Sequence, residues 1–222
     1  MTHVRPTSNP AVTSDNAPAL DPVHAWDSHN ARLADWLKGV AFESMDALPL
    51  LRWATDTFDA DRIVLNTSFQ YSGVAMIHMA VAAGLQLRFS TIDTLRLHPE
   101  TYAFLRQVEQ RYGIEIEVQR PDVAQVQGMV QRFGEYLFFD SKTLQQYCCQ
   151  IRKVKPNEQL LTTVDCWISG MRRDQSDLRR DTPKVMTVNE YGSRRQILKL
   201  NPMADWGEDR MLSYIEDNEI PR

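Results

Sequence analysis

The sequence has little cysteine: three in 222 residues. That excludes a disulfide scaffold. It also excludes a four-thiolate metal site drawn from this chain alone. No run of about 18 apolar residues occurs, so no transmembrane helix is expected. The first residues, MTHVRPTSNPAVTSDNAPALDP, have no apolar stretch of the kind that opens a secretory signal, so a cytoplasmic protein with reduced thiols is expected. Positive charge is not in excess either. Twenty-five Lys+Arg stand against 29 Asp+Glu, a net charge of −4, which argues against nucleic-acid binding through a global positive field. Walker A, G-x-G-x-x-G and H-E-x-x-H patterns are absent, as is any Ser-His-Asp arrangement.

What remains is a chain that is 43% apolar and long enough to bury one core of ordinary size. Residues 1–22, rich in Pro, Ser, Thr, Asn and Ala, read as a disordered leader. Residues 23–222 read as a single domain. Ala31, Leu33, Trp36 and Leu37 lie on one face of a helix, and a second helix covers Ala47 to Ala54. Ile63-Val64-Leu65 is continuously apolar, as a strand buried on both faces requires. A helix is expected over 72–83 with Gly84 as its cap, then a strand over 85–93. Pro99 opens another helix, which Gly113 stops. Ile114 to Val118 alternates, as a half-exposed strand near a sheet edge does. Helical segments follow around 123–133 and 141–162, with a strand over 164–171. Strands over 184–190 and 195–200 flank a turn at Tyr191-Gly192-Ser193, and a last helix spans 207–217. Alternating strands and helices predict a three-layer α/β fold, a mainly parallel sheet with helices on both faces.

Ligands in such sheets bind at the carboxyl ends of the strands. Three polar clusters fall there: Asn66 to Gly73, Asp93-Thr94, and Gly170 to Ser176. The first is a hydroxyl-rich turn into a helix N-terminus, whose N–H groups can hold phosphate, although the same turn caps ordinary helices. Asp93-Thr94 suits ribose or adenine contacts, or a helix cap. Arg172-Arg173 suits a phosphate or sulfate clamp through forked donors. Arg179-Arg180 read instead as a solvated basic loop.

Cys148 and Cys149 are adjacent. On a helix they point about 100° apart, and a vicinal disulfide is strained. Two adjacent thiolates can bind two irons of a cubane cluster, and Arg152, Lys153 and Lys155 would offset its charge. The alternative is a pair of small hydrophobes. Cys166 reads as a core residue of its strand, and His78 as a hydrogen-bonded residue at the core boundary.

Together the segments Thr67-Ser68-Phe69, Asp93-Thr94 with Leu97 to Tyr102, Cys148 to Pro156, Trp167 to Ser176, and Leu200 to Trp206 resemble the assimilatory adenylyl-sulfate and phosphoadenylyl-sulfate reductases. The resemblance runs from about residue 45 to 222, and the Cys pair resembles the iron–sulfur, adenylyl-sulfate branch. It implies an adenine nucleotide α-hydrolase-like fold and thiol-dependent reduction of adenylyl sulfate to sulfite and AMP. The electron donor would be of thioredoxin or glutaredoxin type. By position, Thr67, Ser68 and Phe69 would line the nucleotide site, with Asp93 and Thr94 near the adenosine. Lys153, Arg172 and Arg173 would balance phosphate and sulfate charge near Gly170, and Gln175 would support their loop. Cys148 and Cys149 would be two of four ligands of a 4Fe–4S cluster. Homo-oligomers are common in the family.

Two departures stand out. The family's Gly after Asp-Thr is Leu95 here, expected to narrow the adenine side. Family chains also continue past the Glu-Ile-Pro segment into a Cys-x-x-Cys pair and a tail with the nucleophilic Cys, so the resemblance implies a C-terminally truncated member with no catalytic Cys in this chain. Two alternatives stay open: reduction of phosphoadenylyl sulfate, and a non-redox adenine-nucleotide-binding protein on the same fold.

Overall fold

The computed structural model describes residues 26–190 and 192–222. The expected leader over 1–22 and Tyr191 of the expected turn lie outside them. Two helices lead, α1 (Asp27–Leu37) and α2 (Ala47–Thr57). Then come β1 (Ile63–Thr67), α3 (Tyr71–Ala82), β2 (Arg88–Ile92), α4 (Pro99–Tyr112) and β3 (Ile116–Gln119). Next are α5 (Val123–Phe133), α6 (Lys142–Cys149) and α7 (Lys155–Leu161), the last two joined by a π-helical turn over Gln150–Val154. β4 (Cys166–Ser169), β5 (Val185–Asn189), β6 (Gln196–Leu200) and α8 (Glu208–Asp217) complete the described elements. The strands form one sheet in the order β3-β2-β1-β4-β6-β5. Every neighbouring pair is parallel except β5 with β6.

The apolar run of β1 is explained by its two faces. Ile63 and Leu65 join the large core with α2, α3 and α8, while Val64 packs with Leu160, Leu161, Val164 and Ile197 on the other side. Such a strand has no solvent face, so alternation is lost. α3 is buried almost all round, which is why its sequence shows no polar stripe. β3, whose residues alternate, does lie at the sheet edge. α4 starts at Pro99 and ends on Gly113 at φ 63, a left-handed cap that a side chain would strain. Two expected strands are shorter than the apolar pattern suggests. β2 spans Arg88–Ile92 rather than 85–93, and β4 spans Cys166–Ser169 rather than 164–171. Among the described residues no helix is long and apolar enough to cross a membrane.

Candidate functional site

The chain leaves β1 through α3 to β2 on one side, while β4 lies on the other. The order reverses between β1 and β4, and a crevice opens at such a switch point. A cleft of about 390 Å³ sits there. Asn66 and Thr67 of β1, Ser169 and Gly170 of β4, and Gln70, Ser72 and Gly73 at the start of α3 line it, with Thr94 and Leu97 from the β2 side. Lys153 and Arg179 bring positive charge to it, beside Met171 and Gln175.

Close packing forms the floor. A Cβ on Gly73 would stand 2.2 Å from Thr67 Oγ1, and one on Gly170 would stand 2.7 Å from Ser72 Oγ. Glycine at both positions therefore lets α3 approach the strand ends. Ser72 Oγ donates to the Gly170 carbonyl at 2.7 Å and locks that approach. Gln70 caps α3 with no side-chain bond. The first N–H groups of this 12-residue helix are thus presented at the cleft, where helix geometry favours an anion.

The loops after β1 and β2 use one device twice. Thr67 Oγ1 accepts from the Phe69 N–H at 2.9 Å, and Asp93 Oδ1 accepts from the Leu95 N–H at 2.8 Å. Each third residue lies in the left-handed region, Phe69 at φ 60 and Leu95 at φ 57. The Leu95 departure therefore acts on the backbone. Its side chain is exposed and does not line the cleft, so the expected narrowing of the adenine side is not what it does.

Of the residues singled out from sequence, the cleft gathers Thr67, Ser68, Thr94, Lys153, Gly170 and Gln175. Phe69 and Arg172 line a smaller neighbouring cleft of about 330 Å³, which shares Gln70, Ser72 and Gln175. Arg172 is buried and held fork-to-fork by Asp174, at 2.9 and 3.0 Å, so its charge is already matched. Two expected site residues do not line either cleft. Asp93 is 3% exposed, and its carboxylate accepts from Leu95 N–H, the Tyr102 hydroxyl at 2.8 Å and Arg120 at 3.1 Å. Those bonds shape the turn. Arg173 turns away, donating to Glu43 at 2.6 Å and to the Thr182 carbonyl at 2.8 Å. It ties the loop after β4 to the segment before α2. Sequence reasoning missed Arg179, placed there in a solvated loop. It lines the cleft and donates to Gln175 Oε1, whereas Arg180 does stay outside, paired with Asp177. The four-residue spacing of Gln175 and Arg179 was the available signal.

The vicinal thiols sit at the end of α6. Cys148 is buried with Val126, Met129, Leu137 and Ile151, and Cys149 is exposed. The π turn that follows puts Arg152 inside. One Arg152 N–H bonds the Thr94 carbonyl at 2.9 Å, and the buried Nε finds no partner among the described residues. Cys166 is walled into the sheet, where burial and then the neighbouring Asp165 charge push its thiol well above the ordinary range. Among the described residues no three His, Cys, Asp or Glu side chains converge as metal ligands. His78 bonds the Tyr214 hydroxyl at 3.2 Å on the far side of α3.

Comparison with known proteins fits this geometry. The chain is 32% identical over 161 residues to an adenosine 5'-phosphosulfate reductase of Burkholderia cepacia, a match covering 72% of this chain and 63% of that one. It is 35% identical over 130 residues to the Rhizobium tropici protein of the same name, covering 59% and 70%. In fold it matches a phosphoadenylyl-sulfate reductase crystal structure from Candida auris with a TM-score of 0.65 at 23% identity, over 88% of this chain and 86% of that one. The chain thus spans just under two thirds of the Burkholderia relative. The family model described as the phosphoadenosine phosphosulfate reductase domain matches residues 62–222, from the start of β1 onward, and the chain belongs to that family.

Proposed function

We propose that residues 23–222 form one adenine-nucleotide-binding unit that holds adenylyl sulfate in the β1–β4 cleft for thiol-dependent reduction to sulfite and AMP. The single observation that carries this reading is the cleft itself. It lies at the switch point, has a helix N-terminus on its floor, and carries two cations, Lys153 and Arg179, with no carboxylate among its lining residues. Phosphate and sulfate in one ligand call for that combination. Thr67, Ser68 and Thr94 line the β1 and β2 ends and would face the nucleoside. Gly170, already carrying the Ser72 bond, would let the ribose approach the backbone closely. Binding there orients the phosphosulfate toward Lys153 and Arg179, which neutralise it before a thiolate approaches.

The fit to an iron–sulfur cluster rests on the thiol pair and its surroundings. Cys148 and Cys149 would bind neighbouring irons, and the buried, partly unpaired Arg152 guanidinium lies one helical turn on. A cluster, when bound, supplies a polarisable anionic centre. Among the described residues no third His, Cys, Asp or Glu side chain joins the pair. A thioredoxin- or glutaredoxin-type donor would supply the electrons, with the chain working as a homo-oligomer in the cytoplasm.

Calorimetry of the full chain with adenylyl sulfate and ATP tests the reading. Tighter binding of adenylyl sulfate is expected. Equal or weaker binding contradicts it.

A further inference from the structure

The two edges of the sheet are finished differently. β3 closes one side and β5 the other. At the β3 edge the Ile116 N–H bonds the Glu109 carboxylate at 2.9 Å, Glu115 and Glu117 bring charge, and Pro121 follows close behind. Charge and proline of this kind keep an edge from pairing with another chain. β5 has neither. Val185-Met186-Thr187-Val188-Asn189 is uncharged, contains no proline, and pairs with β6 without a bulge. Lys184, just before it, is 1% exposed and turned to Asp205.

The ladder fixes which backbone groups are open. Glu190 N–H donates to the Arg195 carbonyl and Asn201 N–H to the Lys184 carbonyl, each at 2.8 Å. Even-numbered residues therefore aim their backbone groups at β6, while Val185, Thr187 and Asn189 aim theirs outward. Among the described residues these outward N–H and C=O groups have no partner. Met186, Thr187 and Asn189 are exposed.

An open row of this kind accepts an added strand, and its sequence is complementary to itself. Set antiparallel to a second copy about a two-fold axis at Thr187, each outward N–H meets an outward C=O. Met186 then faces the second copy's Val188, Val185 faces its Asn189, and Thr187 faces Thr187. Apolar and Thr–Thr pairs across strands are favourable, and no like charges are opposed within the strand. The contact closes on itself, so it makes a dimer and not a filament.

We propose that β5 is the interface of a two-fold dimer of this chain, joining the two sheets edge to edge. The inference rests on the homo-oligomer read above, to which it gives a face, and not on what the cleft binds.

Sedimentation velocity of the full chain over about 1–200 µM tests it. Wild type is expected to dimerise with a dissociation constant on the order of 10 µM, since one strand pair buries little surface. Thr187→Pro removes an outward N–H without touching the β5–β6 ladder, and is expected to leave only monomer. Thr187→Lys sets two like charges against each other and is expected to weaken the dimer roughly tenfold. In a Cys149→Ser background, Thr187→Cys is expected to cross-link two chains on oxidation, because the axis brings those positions together. A dimer that survives both Thr187→Pro and Thr187→Lys, or that Thr187→Cys fails to cross-link, overturns this inference and leaves a homo-oligomer built on another face. A wild-type chain that stays monomeric throughout overturns the homo-oligomer and this inference together.

Discussion

At the scale of single residues, the charges that face the cleft are distinguished by their partners more than by their types. Arg172, Arg173 and Arg179 carry the same guanidinium, yet the first two are claimed by Asp174 and Glu43. Arg179 is left with a neutral amide. Arg179→Ala is therefore expected to weaken adenylyl-sulfate binding about tenfold or more, the value of a bond to a charged group. Arg173→Ala is expected to leave affinity near wild type and to lower stability by about 1 kcal/mol, because it removes a tether. Calorimetry and denaturant titration of both variants separate these outcomes. Leu95 offers a second test. A leucine in the left-handed region costs about 1 kcal/mol, and glycine does not. Leu95→Gly is expected to raise the unfolding free energy by up to that amount, minus the added freedom of the unfolded chain. These assignments were not legible in sequence. Asp93 reads as a ligand residue, but its partner Arg120 comes 27 residues later, from beyond β3.

At the scale of elements, much more could be read. Strand and helix types follow from periodicity, and the caps at Pro99 and Gly113 fall where steric rules put them. The edge position of β3 is visible in its alternation. The π turn after Cys149 is not: it rotates the residues that follow, and α6 and α7, of 8 and 7 residues, are too short for the change of phase to show in the sequence. That turn sets the directions of Arg152 and Lys153, so the cleft's second wall is hidden from pattern reasoning. The junction of β1 and α3 gives the sharpest prediction here. Gly73→Ala places a methyl 2.2 Å from Thr67 Oγ1, and the helix must shift or Thr67 must turn. A loss of about 1–3 kcal/mol is expected, together with a loss of nucleotide binding. Retained affinity would show that the floor is not packed as described.

At the scale of the whole molecule, the cleft sits above a sheet whose opposite end is tied by ions. Asp165, at the head of β4, accepts from Arg62 at 2.8 and 2.9 Å and from Arg195. Burial alone would raise its pKa, but these two arginines together hold it below the usual range. Glu117 is lowered mainly by the forked bond from Arg88. A carboxylate whose folded pKa is depressed stabilises the fold above its unfolded pKa, about 4. That stability is lost as pH falls through the folded value. Denaturation midpoints are therefore expected to be flat from neutrality to about pH 5 and to fall below pH 4, with a shallower fall in Asp165→Asn. The neutral-pH cost of that variant is expected to be about 2 kcal/mol, because Arg62 loses its forked carboxylate and buried Arg195 keeps Glu190 as its one ion-pair partner among the described residues.

The central claim is that the β1–β4 cleft holds adenylyl sulfate between Lys153 and Arg179 over the N-terminus of α3. The most direct measurement is calorimetric titration of the full chain, wild type beside Arg179→Ala, with adenylyl sulfate and ATP. The account predicts saturable one-to-one binding of adenylyl sulfate, tighter than ATP and weakened about tenfold by the substitution. Binding of adenylyl sulfate that is absent, no tighter than ATP, or unmoved by Arg179→Ala would contradict it.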